Sequence, residues 1–172
     1  MVEYQRKDRY DINDLRDIMS ILRSPQGCPW DREQIHKSIR NDFIEEVYEA
    51  IEAIDLEDTE LLKEELGDVL LQIIFHCRIE EEKSCFDFDD ICDELCKKLI
   101  IRHPHVFGDI TVSDSGEVLK NWDSIKKETK GQTSYTETLT SVAKSLPALM
   151  RAQKVGKRAM RAGMDFSCVS DE

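Results

Sequence analysis

Residues 59 to 82 read as one long helix in which, from Val69 onward, apolar residues point in almost every direction around the axis. A helix that is apolar nearly all round has to be buried, so other elements must surround it. It nevertheless carries one narrow polar row, Glu65, Asp68, Gln72 and His76, at steps of three and four. The helix before it, about 39 to 54, has an apolar stripe of Phe43, Ile44, Val47, Ile51 and Ile54. Glu46 and Glu49 flank that stripe, on a row with Ala50 and Ala53, small residues beside which a second helix can approach closely. Two antiparallel helices so patterned bring Glu46, Glu49, Glu65 and Asp68 to one place. Like charges at i and i+3 repel by about 0.2–0.5 kcal/mol per pair. Withdrawn from water without partners, carboxylates cost far more. Lys63 lies on the other side of its helix. Either cations from elsewhere in the chain pair with these acids, or a divalent metal lies among them. Oxygen-only ligands favour Mg²⁺ or Mn²⁺ over zinc or copper.

The remaining pattern is helical too. Asp11 or Asn13 can cap a first helix carrying Ile12, Leu15, Ile18, Met19 and Leu22, which "SPQG" (24–27) ends. "CPWD" (28–31) reads as a loop bearing an aromatic. Asp58 or Thr59 caps the long helix. A fourth helix covers about 88 to 101 and stops before Pro104 in "RHPHVFGD"; a fifth starts near Asp114-x-x-Glu117 and carries Val118, Trp122 and Ile125. Alternating β-branched runs are absent, so the expected fold is all-α, a helical bundle. "KGQTSYTETLT" (130–140) is polar and reads as a linker. From Lys144 to Arg161 there are six basic residues and no acid, a basic helix broken by Pro147. The expected organisation is a helical domain over 1–129, a polar linker over 130–143 and a basic C-terminal segment over 144–172.

Composition narrows the partners. The 172 residues carry a formal net charge of −12, so nucleic acid and anionic membrane are not expected as partners. No stretch approaches a membrane span, and "MVEYQRKDRY" lacks a signal peptide's apolar segment. Six cysteines without a CxxC pair suit free thiols in a reducing, cytoplasmic compartment. A di-iron bundle would need Glu-x-x-His on two helices, and only Glu33-x-x-His36 fits, outside the acid helices. Mg²⁺ held by several acids suits phosphate substrates.

Glu45-Glu46-x-x-Glu49 followed by Glu65-x-x-Asp68 resembles the metal motif of the MazG family of nucleoside triphosphate pyrophosphohydrolases. "GCPWD" (27–31), "ELGDVLLQ" (65–72), "RHPHVFGD" (102–109) and "SLPALMRAQK" (145–154) match as well, so the resemblance covers nearly the whole chain. It implies an all-α fold working as a homodimer or higher oligomer. It also implies Mg²⁺-dependent hydrolysis between the α and β phosphates, giving nucleoside monophosphate and pyrophosphate. By motif position, Glu46, Glu49, Glu65 and Asp68 would be metal ligands, and Glu45 an outer-shell group or the base that activates water. Lys98 and Arg102, one turn apart, would grip phosphates; Trp122 and Trp30 would stack on the base. In tandem members of the family the last block leads into a second catalytic domain. Residues 144–172 then read as the start of such a domain, and a non-catalytic, regulatory nucleotide-binding or dimerisation module is the alternative to an enzyme.

Overall fold

The computed structural model describes residues 4–129 and 134–164. Among them the chain forms helices α1 (Ile12–Leu22), α2 (Pro29–Glu33), α3 (Arg40–Asp55), α4 (Thr59–Glu81), α5 (Phe88–Arg102), α6 (Pro104–Phe107), α7 (Ser115–Thr129), α8 (Tyr135–Thr140) and α9 (Ala148–Arg161), and no strand. The all-α expectation is met. Two compact units divide the chain, Met1–Leu95 and Cys96–Glu172, with the division inside α5. No helix among the described residues is long and apolar enough to cross a membrane.

The first unit is organised by α4, which packs against both α3 and α1. Asp11 caps α1, accepting from the amides of Asn13 and Asp14, while Asp14 returns a bond to the Asp11 amide. Each cap of this kind stabilises a helix start by about 1 kcal/mol. Asp58 does the same for α4 through Glu60 and Leu61. The core is Met19 from α1, Ile39 ahead of α3, and Ile74, Phe75 and Ile79 from α4, with Leu15, Leu70, Leu71 and Phe88 against it. Burying side chains of this size stabilises by about 1.5–3 kcal/mol each.

Both ends of α4 turn sharply. Glu57 (φ 55°) and Ser84 (φ 56°) take the left-handed conformation, each followed by an amide that reaches back: Asp58 to the Ala53 carbonyl, Cys85 to that of Glu80. This closure lets α4 follow α3 after three residues, Leu56 to Asp58.

Several expectations change. "CPWD" is not a loop: Pro29 fits the first turn of α2, where its missing N–H goes unneeded. Pro104 stops α5 and also opens the one-turn α6. The polar stretch read as a linker contains α8, begun by a capping box in which Ser134 and Glu137 bond each other's amides; residues 130–133 lie outside the description. Pro147 does not break the basic helix but caps its start. α8 and α9 pack together, with Arg158 donating to the Thr138 carbonyl and to Ser141 Oγ.

On α3 the alanine row is the face along which the second helix approaches, as its small residues suggest. The aliphatic stripe of α3 is not core-facing within the single chain: Ile44 is 50% exposed and Ile54 57%, with Val47 and Ile51 also exposed and Phe43 half-buried. The face turned to α4 is the alanine row, Ala53 being 1% exposed. Close helix packing selects the face with the least side-chain bulk, which turns the isoleucines outward.

Candidate metal centre

The α3–α4 hairpin sets the two acid pairs face to face. Carboxylate oxygens of Glu46, Glu49 and Glu65 all lie within 4.8 Å of one another. Asp68 stands three residues beyond Glu65 on α4, and its charge acts on both Glu46 and Glu65. Glu46 is half-buried, and burial, followed by repulsion from Asp68, Glu49 and Glu65, raises its carboxyl above the usual range. Glu65 is raised for the same reasons, burial first and then the charges of Glu49 and Asp68.

Among the described residues no Lys or Arg forms an ion pair with any of the four acids. Lys63, the nearest in sequence, pairs with Glu60 instead. Among the described residues, then, this concentration of negative charge is not answered by the chain's cations. Four hard oxygen donors on two rigid helices, partly withdrawn from water, suit a small divalent cation. One turn beyond Asp68 on the same row of α4, Gln72 is 7% exposed, and its Oε1 is buried without a hydrogen-bond partner.

Past Gln72 the same row of α4 is fully engaged. His36, in the segment before α3, places Nδ1 2.8 Å from His76 Nδ1 and donates from Nε2 to Glu80 Oε1 at 2.5 Å. Glu80 is held down at about 2, first by Lys83 (2.6 Å) and then by His36. Burial and the neighbouring His36 lower His76. Arg23, 8% exposed, bonds Glu82 with Nε and Nη2, each at 2.9 Å, and the Asp31 and Gln34 carbonyls with Nη1. Glu82 is lowered, chiefly by Arg23. Periodicity gave no sign of His36 or Arg23, because both act from outside the two acid helices.

The other expected site residues are distributed as follows. Glu45 is exposed on α3 beside Glu46. Trp30 is 58% exposed on α2. Lys98, Arg102 and Trp122 belong to the second unit. There the Arg102 guanidinium lies 5.5 Å from the Trp122 ring centre, and His103 meets the same indole edge-on at 4.8 Å. His103 is fixed by its Nδ1 bond to the Leu99 carbonyl, 2.6 Å. The structure thus brings Glu46, Glu49 and Glu65 together in the first unit, and Arg102, His103 and Trp122 together in the second.

Residues 34–107 match the MazG nucleotide pyrophosphohydrolase domain. The nucleoside triphosphate pyrophosphohydrolase of Escherichia coli is 45% identical over 157 residues, covering 91% of this chain and 60% of that protein. The nucleoside triphosphate pyrophosphohydrolase/pyrophosphatase MazG of Thermotoga maritima is 44% identical over 155 residues, covering 90% of this chain and 59% of that protein. An uncharacterized protein of Bacillus subtilis, YabN, is 48% identical over 148 residues, 86% of this chain and 30% of its own length. This chain therefore spans less than two thirds of each of these relatives. The crystal structure of a mazG-related protein from Thermotoga maritima superposes with a TM-score of 0.57 at 25% identity, covering 67% of this chain and 99% of that one.

Proposed function

The chain belongs to the MazG nucleotide pyrophosphohydrolase family, and from that premise we propose that it hydrolyses nucleoside triphosphates to nucleoside monophosphates and pyrophosphate. The observation that carries this reading is the convergence of Glu46, Glu49 and Glu65, with Asp68 beside them and no pairing Lys or Arg among the described residues. These four acids would hold Mg²⁺, with Mn²⁺ as an alternative. When bound, the cation supplies neutralising charge for phosphate oxygens and acidifies a coordinated water.

The chain's own groups do the rest. Glu45 takes the proton of the attacking water. The water oxygen bonds to the α phosphorus as the bridge from that phosphorus to the β phosphate breaks, and the electron pair leaves on pyrophosphate. Lys98 and Arg102 hold the departing phosphates, and Trp122 and Trp30 receive the base. No GxxxxGK[ST] loop exists in the sequence to cradle β and γ phosphates for terminal cleavage. In this reading residues 1–129 carry catalysis, 130–143 link, and 144–172 begin a further domain. The protein is assigned to the cytoplasm, without nucleic-acid or membrane partners.

The exposed Ile44, Val47, Ile51 and Ile54 stripe of α3 supports a homodimer, because apolar faces of this length are covered in stable proteins. Light scattering that finds a stable monomer near 20.0 kDa would count against it.

One assay tests the activity: mixed nucleoside triphosphates in ¹⁸O-labelled water, with and without Mg²⁺. Monophosphate carrying the label, plus pyrophosphate, only with the metal, is expected. Orthophosphate and nucleoside diphosphate as first products would overturn the reading. Nucleotide binding without turnover would favour the non-catalytic module.

A further inference from the structure

We propose that Gln72 belongs to the metal centre as a positioning residue: its buried carboxamide oxygen accepts a hydrogen bond from the hydration shell of a divalent cation held by Glu46, Glu49, Glu65 and Asp68. The inference rests on the metal reading above.

Gln72 lies on α4 one turn beyond Asp68, on the row that begins with Glu65. Helical side chains lean toward the N-terminus of their helix, so this carboxamide reaches back over the turn that bears Asp68. Across the hairpin, Phe43 of α3 meets His76 at 5.6 Å and the charge of Glu46 meets that of Asp68. Along this row of α4, Gln72 falls between Asp68 and His76. It is 7% exposed, and its Oε1 has no partner.

A buried polar atom left unsatisfied is uncommon and calls for an explanation. The groups that bracket Gln72 cannot supply one. Ionised Asp68 and Glu46 are acceptors only, and Phe43 has no polar atom. His76 turns its Nδ1 to His36. Among the described residues no donor reaches it, and water hydrogens polarised by a divalent cation are strong donors. An unbranched apolar residue would fill the same space without an orphaned oxygen, so the carboxamide is the part that calls for a role.

The test uses the full chain with Q72M and Q72E, Mn²⁺ titrations without nucleotide, and thermal unfolding in metal-free buffer. Q72M keeps the length of the side chain and removes the acceptor. Its Mn²⁺ dissociation constant should rise about tenfold, as for other outer-shell partners, while metal-free stability is unchanged or improved. Q72E keeps an acceptor oxygen and should bind Mn²⁺ at least as tightly as the wild type; weaker binding by Q72E would overturn the proposal. Wild-type Mn²⁺ affinity in Q72M would overturn the proposal. So would a Q72M melting temperature several degrees lower without metal, since the amide would then be bonded within the chain. A wild-type protein that binds no Mn²⁺ would overturn the metal reading itself and this inference with it. That failure is distinct, because it leaves Q72M and wild type alike in having no signal to compare.

Discussion

The two halves of α4 treat their carboxylates in opposite ways. Toward the C-terminus, Glu80 is bonded by Lys83 and His36, and Glu82 by Arg23 and Arg78; both are pushed down. Toward the N-terminus, Glu65 faces Glu49 of α3 with Asp68 three residues along its own helix, and burial and these charges push it up, as they do Glu46. Along one helix, then, the described residues supply cations to the acids at one end and none to those at the other. A surplus of negative charge that persists beside a fully paired region is what a cation-binding site requires. An acidic surface would not need to be half-buried, nor set on the least bulky face of α3.

The comparison breaks most visibly at the acids themselves. Glu49→Gln or Asp68→Asn should lower pyrophosphate release by more than about a hundredfold, the range that outer-shell partners alone can reach. Both variants should stay folded, slightly stabilised in metal-free buffer because a repulsion is gone. Full turnover in either would remove the metal assignment, and unfolding would point to a structural ion pair.

The paired half should respond with stability instead. Arg23→Met leaves Glu82 and the Asp31 and Gln34 carbonyls without their donor. Urea unfolding should show a loss of about 3 kcal/mol, as for other broken, largely buried pairs. A loss under 1 kcal/mol would mean that solvent replaces the guanidinium.

Acidification should separate the halves by sign. Glu46 and Glu65 have folded values above their unfolded ones, so their contribution to metal-free stability is fully present below the unfolded value near 4.5. It is lost as pH rises through the folded values. Glu80 behaves oppositely: its contribution is present above 4.5 and disappears as pH falls toward about 2. His76, lowered by burial, opposes the first trend below its ordinary value of 6.5. It is common to wild type and Glu46→Gln, so the stability difference between those two proteins isolates the cluster. That difference should widen from pH 4.5 to pH 7 in favour of the variant, and a flat difference would deny the repulsion.

The smallest effect is expected where neither half is involved. Glu57 is left-handed at φ 55°, a conformation that glycine adopts without steric cost. Glu57→Gly should raise stability by about 0.5–1 kcal/mol, leaving pyrophosphate release unchanged. Calorimetry that shows destabilisation would mean the Glu57 side chain contributes more than its backbone costs.

Periodicity made most of this legible before any coordinates. The helices expected at 39–54, 59–82 and 88–101 end within a residue of α3, α4 and α5, because long amphipathic segments announce themselves through spacing. The meeting of Glu46, Glu49 and Glu65 was legible for the same reason, since they lie on two such segments. What escaped depends on contacts between segments or on very short elements. α2 has five residues, too few for a period. α8 did carry a signal, Ser134-x-x-Glu137, which a compositional reading of a polar stretch passed over. The outward turn of Ile44, Val47, Ile51 and Ile54 depends on which face α4 selects, and that is a property of the pair. His36 had no visible purpose until the fold set it against His76 and Glu80.

The three-residue connection between α3 and α4 has a kinetic consequence. All four acids lie within a stretch of about twenty residues, so assembling them closes only a short loop, and closure entropy grows slowly with loop length. Structures rich in such local contacts fold fast. The hairpin can therefore form early, before α1 adds Met19 to the core. Repulsion among the acids acts against that early pairing, and a cation present during folding would remove the opposition. Mn²⁺ or Mg²⁺ should then speed refolding as well as slow unfolding, the signature of ligands already gathered in the transition state.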